Sequence, residues 1–285
     1  MSASLLQSTA TLGAAVADAG SVGSAPAGAN GEAASLAPVA QATADPRYRV
    51  HLARSKDELR AAQRLRFEVF NLELGEGLAR SYGSQLDEDE FDAVCDHLLV
   101  SDKGDGRVVG TYRLQTGAMA RAGRGYYSAR EFDFAPYESR RDRIIELGRA
   151  CIDAGHRSFA VLNLLWRGIA AYAQERSARY LVGCSSLTSL DESVGAAAWR
   201  RLQVHSVEPA LVTRPQPAFA CALGLAGPPP AIPRLLTAYL ALGAQLCGPP
   251  AIDREFGTID FLTWLDLESS GAAPPRRRSR FFASA

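Results

Sequence analysis

The pattern of apolar and polar positions divides this chain into three textures. Residues 1–45 are dominated by Ala, Gly and Ser. They cannot bury enough surface to offset the entropy of ordering and read as a disordered leader. Tyr48-Arg49-Val50-His51-Leu52 alternates as a strand. Ser55-x-x-Glu58 reads as a capping box opening a helix that buries Leu59, Ala62, Leu65, Val69 and Phe70. Residues 75–96 are polar and acidic and read as a long loop. Two strands are expected next, His97–Ser101 and Arg107–Leu114, joined by a Gly-Asp-Gly hairpin signal at residues 104–106. Residues 115–142 read as irregular, with one helical turn near Ser128–Glu131.

The run Arg143-Ile144-Ile145-Glu146-Leu147-Gly148-Arg149-Ala150-Cys151 is the most informative stretch. Its isoleucines and leucine mark a buried strand, where a carboxylate is costly unless it is paired or working. Residues three apart in a regular strand point to opposite faces, so Glu146 and Arg149 diverge unless the strand is interrupted. Gly148 permits a bulge, and bulges re-aim side chains beside active sites. The alternative for the pair is a buried ion pair that only fixes the fold. After the polar break Asp153-Ala154-Gly155-His156-Arg157, Phe159–Glu175 reads as an amphipathic helix with Leu162, Leu165, Trp166, Ile169 and Tyr172 on one side. Strand, turn and helix N-terminus together can offer backbone N–H groups to a phosphate.

Arg179–Cys184 is a further strand, and Ser189-x-x-Glu192 caps a helix through Leu202. The element order predicts an α/β layer with a mixed sheet. Beyond about residue 206 the texture changes. Gly227-Pro228-Pro229-Pro230 is a loop, Pro233 suits a helix start, residues 233–247 read as an apolar helix, and Thr258–Leu267 is one more strand. Arg276, Arg277, Arg278 and Arg280, with Phe281 and Phe282, form a basic tail. The expected organisation is therefore a leader (1–45), a core (46–205), a C-terminal extension completing the fold (206–268) and the tail (269–285).

Composition narrows the function. The 285 residues carry zero formal net charge, which gives no bulk electrostatic reason to expect nucleic acid. Five scattered cysteines and four dispersed histidines show no metal-ligand or redox spacing; free thiols in a reducing cytosol and no metal site are expected. No apolar run reaches the roughly 20 residues needed to cross a bilayer, and Leu5-Leu6 lacks the flanks of a secretory signal.

The order of elements and the motifs on them resemble the GNAT acyltransferase superfamily: a mixed central β-sheet flanked by helices, here with a C-terminal extension. The residues carrying the likeness are Arg66-x-x-x-Phe70, the string Asp87-Glu88-Asp89-Glu90-Phe91-Asp92, Gly110-Thr111-Tyr112-Arg113-Leu114 and Glu146-Leu147-Gly148-Arg149. Within it the chain looks like the haemolysin-like branch that takes acyl groups from acyl carrier protein. Acyl-homoserine-lactone synthases show a similar set. Cys95-Asp96-His97-Leu98-Leu99-Val100 and the segment Tyr239 to Leu267, including Asp253-Arg254-Glu255-Phe256-Gly257-Thr258, are closer to the ornithine N-acyltransferases that make lyso-ornithine lipid. The likeness spans about residues 47–268. One departure is a donor loop with a single glycine, Gly155, which fits the lone phosphodiester of a carrier-protein phosphopantetheine arm.

The resemblance implies an N-acyltransferase that binds no cofactor of its own and takes a 3-hydroxyacyl group from acyl-phosphopantetheine on acyl carrier protein. Its implied acceptor is the α-amino group of ornithine. The alternatives are a lactone synthase, another amine N-acyltransferase, and a non-catalytic lipid- or membrane-binding protein. Glu146 is the candidate base, with Arg149 orienting it or binding the amino acid carboxylate. Asp89 and Asp92 are expected to meet the cationic acceptor, with Arg66, Phe70, Arg113 and His97 in the same site; a solvated acidic loop is the bland alternative. Gly155, Arg157 and Ser158 are the donor-phosphate candidates, and Arg140, Arg141 and Arg143 a basic docking surface for an acidic carrier. Trp166, Tyr172 and Trp199 read as core. The expected location is cytoplasmic, peripheral on the inner membrane face through the 233–247 helix and the tail.

Overall fold

The computed structural model describes residues 45–228 and 230–268. The leader to residue 44, Pro229 and the arginine-phenylalanine tail lie outside the described residues. In chain order the elements are β1 (Tyr48–Leu52), α1 (Lys56–Phe67), α2 (Ser81–Ser84), β2 (Asp96–Asp102), β3 (Val108–Thr116), α3 (Gly117–Ala122) and β4 (Ile144–Ile152). They continue with α4 (Phe159–Glu175), β5 (Tyr180–Leu187), α5 (Glu192–Leu202), α6 (Arg234–Ala241), β6 (Gln245–Leu246), β7 (Ala251–Asp253) and β8 (Thr258–Asp266).

The eight strands form one sheet in the order β1-β2-β3-β4-β5-β8-β6, with β7 also paired to β8. Neighbours are antiparallel except β4 and β5. β2 and β3 are buried on both faces, because helices cover both. Leu98, Val100, Tyr112 and Leu114 pack with Val161, Leu165, Ile169 and Tyr172 of α4. The same strands turn His97 and Arg113 toward the other face, where α1 lies over β3 and β4. A second aromatic core stacks Tyr137 on Trp264 of β8 at 5.2 Å. Trp166 and Tyr172 are buried, and Trp199 packs at the edge of a third cluster around α5.

Several local expectations need correction. Ser55 Oγ does accept from the Glu58 N–H, but the Glu58 carboxylate reaches the Arg54 N–H instead of closing the box on Ser55. α1 runs on as a π-helical turn over Glu68–Glu73, with the Leu74 N–H donating to Val69 O five residues back. Residues 75–96 are no solvated loop: they hold α2 and a 3₁₀ turn (Asp92–Val94), and Asp87 and Asp92 are buried. The irregular 115–142 stretch contains α3 and two 3₁₀ segments, Ser128–Arg130 and Ala135–Arg143. Asp191 caps α5, accepting from Ser193 N–H, while Ser189 steadies Asp191. The 233–247 helix is shorter than its apolar run, because Gly243 adopts φ +95° after α6 and releases the chain into β6. Leu236 and Tyr239 of α6 are buried against the sheet side.

What positions the site is a fork. β4 and β5 pair only over Ile144–Glu146 and Tyr180–Val182 and then part. β8 holds β5 along its whole length, from Tyr180↔Asp266 to Leu187↔Ile259, so the parting is maintained from both sides. Gly183 sits at the branch point, where a Cβ would stand 2.2 Å from the Leu147 carbonyl oxygen. Gly183→Ala must push the two strands apart there. We expect it to cost about 1–3 kcal/mol, the usual range for overpacking, measured by urea unfolding; an unchanged midpoint would remove Gly183 from this role.

Candidate functional site

Two hollows meet at the fork. The first is a polar cavity of 300 Å³ whose wall includes Arg113, Gln115, Tyr127, Ser128, Glu146, Gly148 and Arg149. The second is an apolar groove of 550 Å³ between β4, the start of α4 and α6, lined by Ala150, Ile152, Phe159, Leu162, Ala238 and Leu242. Phe70, Leu74, Ala150 and Leu235 belong to both walls, so the hollows are continuous. Phe70 reaches this position on the π turn, and such turns recur at functional sites.

Glu146 and Arg149 face the same cavity although they are three apart on β4. The register against β3 jumps from Arg113↔Gly148 to Thr111↔Cys151, which puts one extra residue into β4. The sequence points to Gly148 as the flexible residue; the left-handed conformation is instead taken by Arg149, at φ +50°. A non-glycine residue there carries about 1–3 kcal/mol of strain and needs its surroundings to hold it. Arg149 has them. Its guanidinium lies 4.8 Å from the Tyr127 ring centre and 4.5 Å from that of Phe256, and Nη2 donates to Asp89 at 3.0 Å.

Asp87, Asp89 and Asp92 form a closed ring with Arg66, Arg113 and Arg149. Arg66 spans Asp87 and Asp92, Arg113 spans Asp89 and Asp92, and Arg149 spans Asp87 and Asp89. Arg66 is fully buried and grips Asp92 with two nitrogens at 2.6 and 3.0 Å. At Asp87 the approaches of 2.8 and 3.2 Å are off the N–H axes, so that corner is electrostatic rather than hydrogen-bonded. Burial alone would raise the Asp92 carboxyl; the Arg66 charge and hydrogen bonds, with Arg113, overturn this and hold it far below the carboxylate range. Asp89 is likewise held low, against its burial, by Arg113 and Arg149. His97 donates from Nε2 to the Asp92 carbonyl at 3.0 Å, and burial lowers its pKa, so it is a neutral support of the ring.

Among the acceptor candidates, Phe70 and Arg113 line the cavity, whereas Arg66, Asp89, Asp92 and His97 stand behind its wall. The carboxylates expected to greet a cationic acceptor are therefore already neutralised by arginine. At the donor end, the Gly155 N–H is taken by Asp153 Oδ1, Ser158 caps α4 by accepting from the Val161 N–H, and Arg157 is paired with Glu73. Arg157 and Ser158 sit at the mouth of the apolar groove together with exposed Arg234. Arg140, Arg141 and Arg143 lie at the opposite end of β4, matched with Glu208, Glu138 and Glu268.

The Glu146 carboxylate is held at the start of the helical turn expected near Ser128–Glu131, a role the sequence did not assign to it. Oε2 accepts from the Tyr127 N–H at 2.7 Å and Oε1 from the Ser128 N–H at 2.8 Å. Burial raises its pKa, and the hydrogen bonds from Ser128 and Tyr127 with the Arg113 charge only moderate the rise. The result is an oriented carboxylate that is more basic than usual. Gln115 Oε1 and Ser185 Oγ, both in the cavity wall and buried, have no hydrogen-bond partner among the described residues. Asp253 and Asp260 also line the cavity and were missed in the sequence, although Asp260 carries the signal that exposed Glu146, an acid inside an apolar strand. All five cysteines are free.

The ring makes an acid-sensitivity prediction. Asp89 and Asp92 have folded pKa values below their unfolded ones, so their stabilisation is complete above about pH 4, the unfolded carboxylate value, and drains away as pH falls below it. Asp92→Asn leaves Arg66 buried without its bidentate partner and should cost about 3–5 kcal/mol at neutral pH, with a flatter decline of stability in acid. Urea unfolding from pH 7 downward measures both; a variant within 1 kcal/mol of the parent would show the ring to be dispensable.

Comparison with known proteins agrees with the architecture. The acetyltransferase (GNAT) domain matches residues 65–167. The crystal structure of the AHL synthase LasI superposes with a TM-score of 0.48 at 14% identity over 84% of this chain and 96% of that one, too slight a likeness to argue from. The L-ornithine N(alpha)-acyltransferase of Agrobacterium fabrum is 34% identical over 239 residues, covering 76% of this chain and 80% of that one. That of Rhizobium meliloti is 36% identical over 237 residues, covering 76% and 79%. With likeness of this extent, the chain belongs to the L-ornithine N(alpha)-acyltransferase family.

Proposed function

We propose that the chain transfers an acyl group from the phosphopantetheine thioester of acyl carrier protein to the α-amino group of L-ornithine, giving lyso-ornithine lipid. The observation that carries this reading is Glu146, a buried carboxylate held by two backbone N–H groups in the wall of a polar cavity that is continuous with an apolar groove. The groove suits a fatty chain and its pantetheine arm entering past Arg157, Ser158 and Arg234. The polar cavity suits a small zwitterion. Neither hollow alone needs the other.

In the reaction the amine nitrogen attacks the thioester carbonyl carbon, the C–N bond forms, and the C–S bond breaks as the thiolate leaves. The attacking amine must shed a proton, and Glu146 Oε1 or Oε2 takes it, directly or through a water, and returns it to the departing thiolate. The oxyanion needs a donor; backbone N–H groups at the β4 bulge are the ones released from regular pairing. Arg149 is a positioning residue: its rings and aspartates hold the bulge that turns β4 toward both hollows.

Glu146→Gln keeps the shape and loses the proton acceptor. The release of free carrier thiol in the presence of ornithine should slow by roughly 10²–10⁴-fold, and the acid limb of the pH–rate profile should vanish, while KM for the carrier protein holds. Replacing Arg157 and Arg234 by Ala should do the reverse, raising KM for the carrier and weakening its salt dependence. A Gln variant of near-normal rate would sink the role of Glu146.

The product is a single-chain amphiphile, and the tail Arg276–Phe282 supplies basic and aromatic groups suited to an anionic leaflet, at about 1 kcal/mol per basic residue near the surface. Among the described residues no helix is long and apolar enough to cross a membrane. Deleting residues 274–285 should reduce salt-sensitive sedimentation with anionic vesicles and leave thioester cleavage intact. Equal partitioning of both forms would leave the tail without an anchoring role.

A further inference from the structure

A second set of carboxylates gathers without an arginine ion pair among the described residues. Glu131 follows the turn that holds Glu146, and Asp260 lies inside β8; they are 1% and 4% exposed. One oxygen of each and Cys184 Sγ all lie within 4.8 Å of one another. Glu131 Oε1 and Asp260 Oδ1 have no donor, and among the described residues neither carboxylate forms an ion pair. Asp260 lines the polar cavity beside Asp253 and Glu76. The other oxygens are served by neutral donors: Thr258 Oγ1 to Asp260 Oδ2 at 3.3 Å, Thr188 Oγ1 to Glu76 Oε2 at 2.6 Å, and the Glu255 and Phe256 N–H groups to Asp253 Oδ1 at 2.9 Å.

In the arginine ring three aspartates meet three arginines in ion pairs; Glu131, Asp260, Asp253 and Glu76 form none among the described residues, although Arg113 and Arg149 line the same cavity. Burial raises Glu131 and Asp260; at Glu131 the charges of Asp260 and Asp253 add to the rise, and at Asp260 the charge of Asp253 does. A cation on the cavity side would give the open Asp260 oxygen the partner it lacks. The distance to the base is short. Ser128, whose N–H and hydroxyl meet Glu146, has its Oγ 3.4 Å from Cys184 Sγ, and Cys184 is part of the Glu131–Asp260 group.

We propose that Asp260, flanked by Asp253 and Glu76 and backed by Glu131, receives the side-chain ammonium of a diamino acid acceptor and sets the preference of this cavity for a cationic over a neutral side chain. The inference rests on reading the cavity as the acceptor site. An amino acid with its α-nitrogen at Glu146 extends its side chain past Ser128 and Cys184 toward Asp260. The open Gln115 Oε1 and Ser185 Oγ remain in the wall for the rest of the molecule.

The test compares L-ornithine with L-norvaline, which has a neutral side chain, on the full-length protein. Calorimetric binding needs no acyl donor, and kcat/KM with acyl carrier protein follows. The parent should favour ornithine in both, and Asp260→Asn should reduce that discrimination by roughly 10–100-fold, the worth of a hydrogen bond to a charged group. Asp253→Asn and Glu76→Gln, nearer the cavity mouth, should each reduce it in the same direction, which keeps the test decisive if the Asp260 variant unfolds. Ornithine binding that discriminates without any acyl transfer would overturn the proposed reaction and retain the ammonium pocket. Discrimination unchanged in all three variants would overturn the pocket. So would a divalent metal that copurifies with the parent, is absent from Asp260→Asn, and is required for ornithine binding.

Discussion

The closed ring of Arg66, Arg113, Arg149, Asp87, Asp89 and Asp92 is the interaction on which the rest of the structure depends. It ties α1, the acidic segment, β3 and β4 together across one face of the sheet, with its charges balanced and almost no water. Buried ion pairs of this kind cost much of their attraction in desolvation, so their value lies in geometry more than in net stability. Here the geometry is the bulge. Arg149 keeps its left-handed backbone because aspartates on one side and the Tyr127 and Phe256 rings on the other leave its side chain a single place to go.

That arrangement separates two kinds of acid. Asp89 and Asp92 are charged, paired and inert, and Glu146 is oriented by two backbone N–H groups yet keeps a raised pKa. The difference comes from partners: guanidinium charges lower a buried carboxyl, whereas amide dipoles only moderate the cost of burial. The carboxylate proposed as the base thus stands beside Asp89 and Asp92, whose pKa values are shifted the opposite way. The fork adds a place where an apolar groove opens into a polar cavity.

Much of this was legible in the sequence. The alternating strand at Tyr48, the Gly-Asp-Gly hairpin, the long helix Phe159–Glu175 and the acid inside an apolar strand all follow from local pattern, and local pattern is what strands and helices obey. The identities of the ring residues were legible too, but not their pairing, because Asp87–Asp92 is polar and reads as solvated until Arg66 is known to lie beneath it. The helical turn near Ser128 was expected, but its grip on Glu146 left no signal, since it acts through the Tyr127 and Ser128 backbone N–H groups. β6 and β7 are too short for periodicity to reveal. Gly243, by contrast, stood in plain view as the point where the apolar run 233–247 had to stop being helical.

β8 lies between β5 and the short β6 and β7 near one edge of the sheet, and it follows every other described strand in the chain. Without it β5 would present a bare edge and the wall that carries Asp260 would be missing, although Glu146 and its turn belong to earlier segments. One strand therefore both covers the β5 edge and carries the acid of the proposed ammonium pocket. A chain lacking that strand exposes an unpaired edge, the feature through which partly folded proteins associate. A substitution that loosens Thr258–Asp266 would thus bear on self-association and on the proposed pocket together.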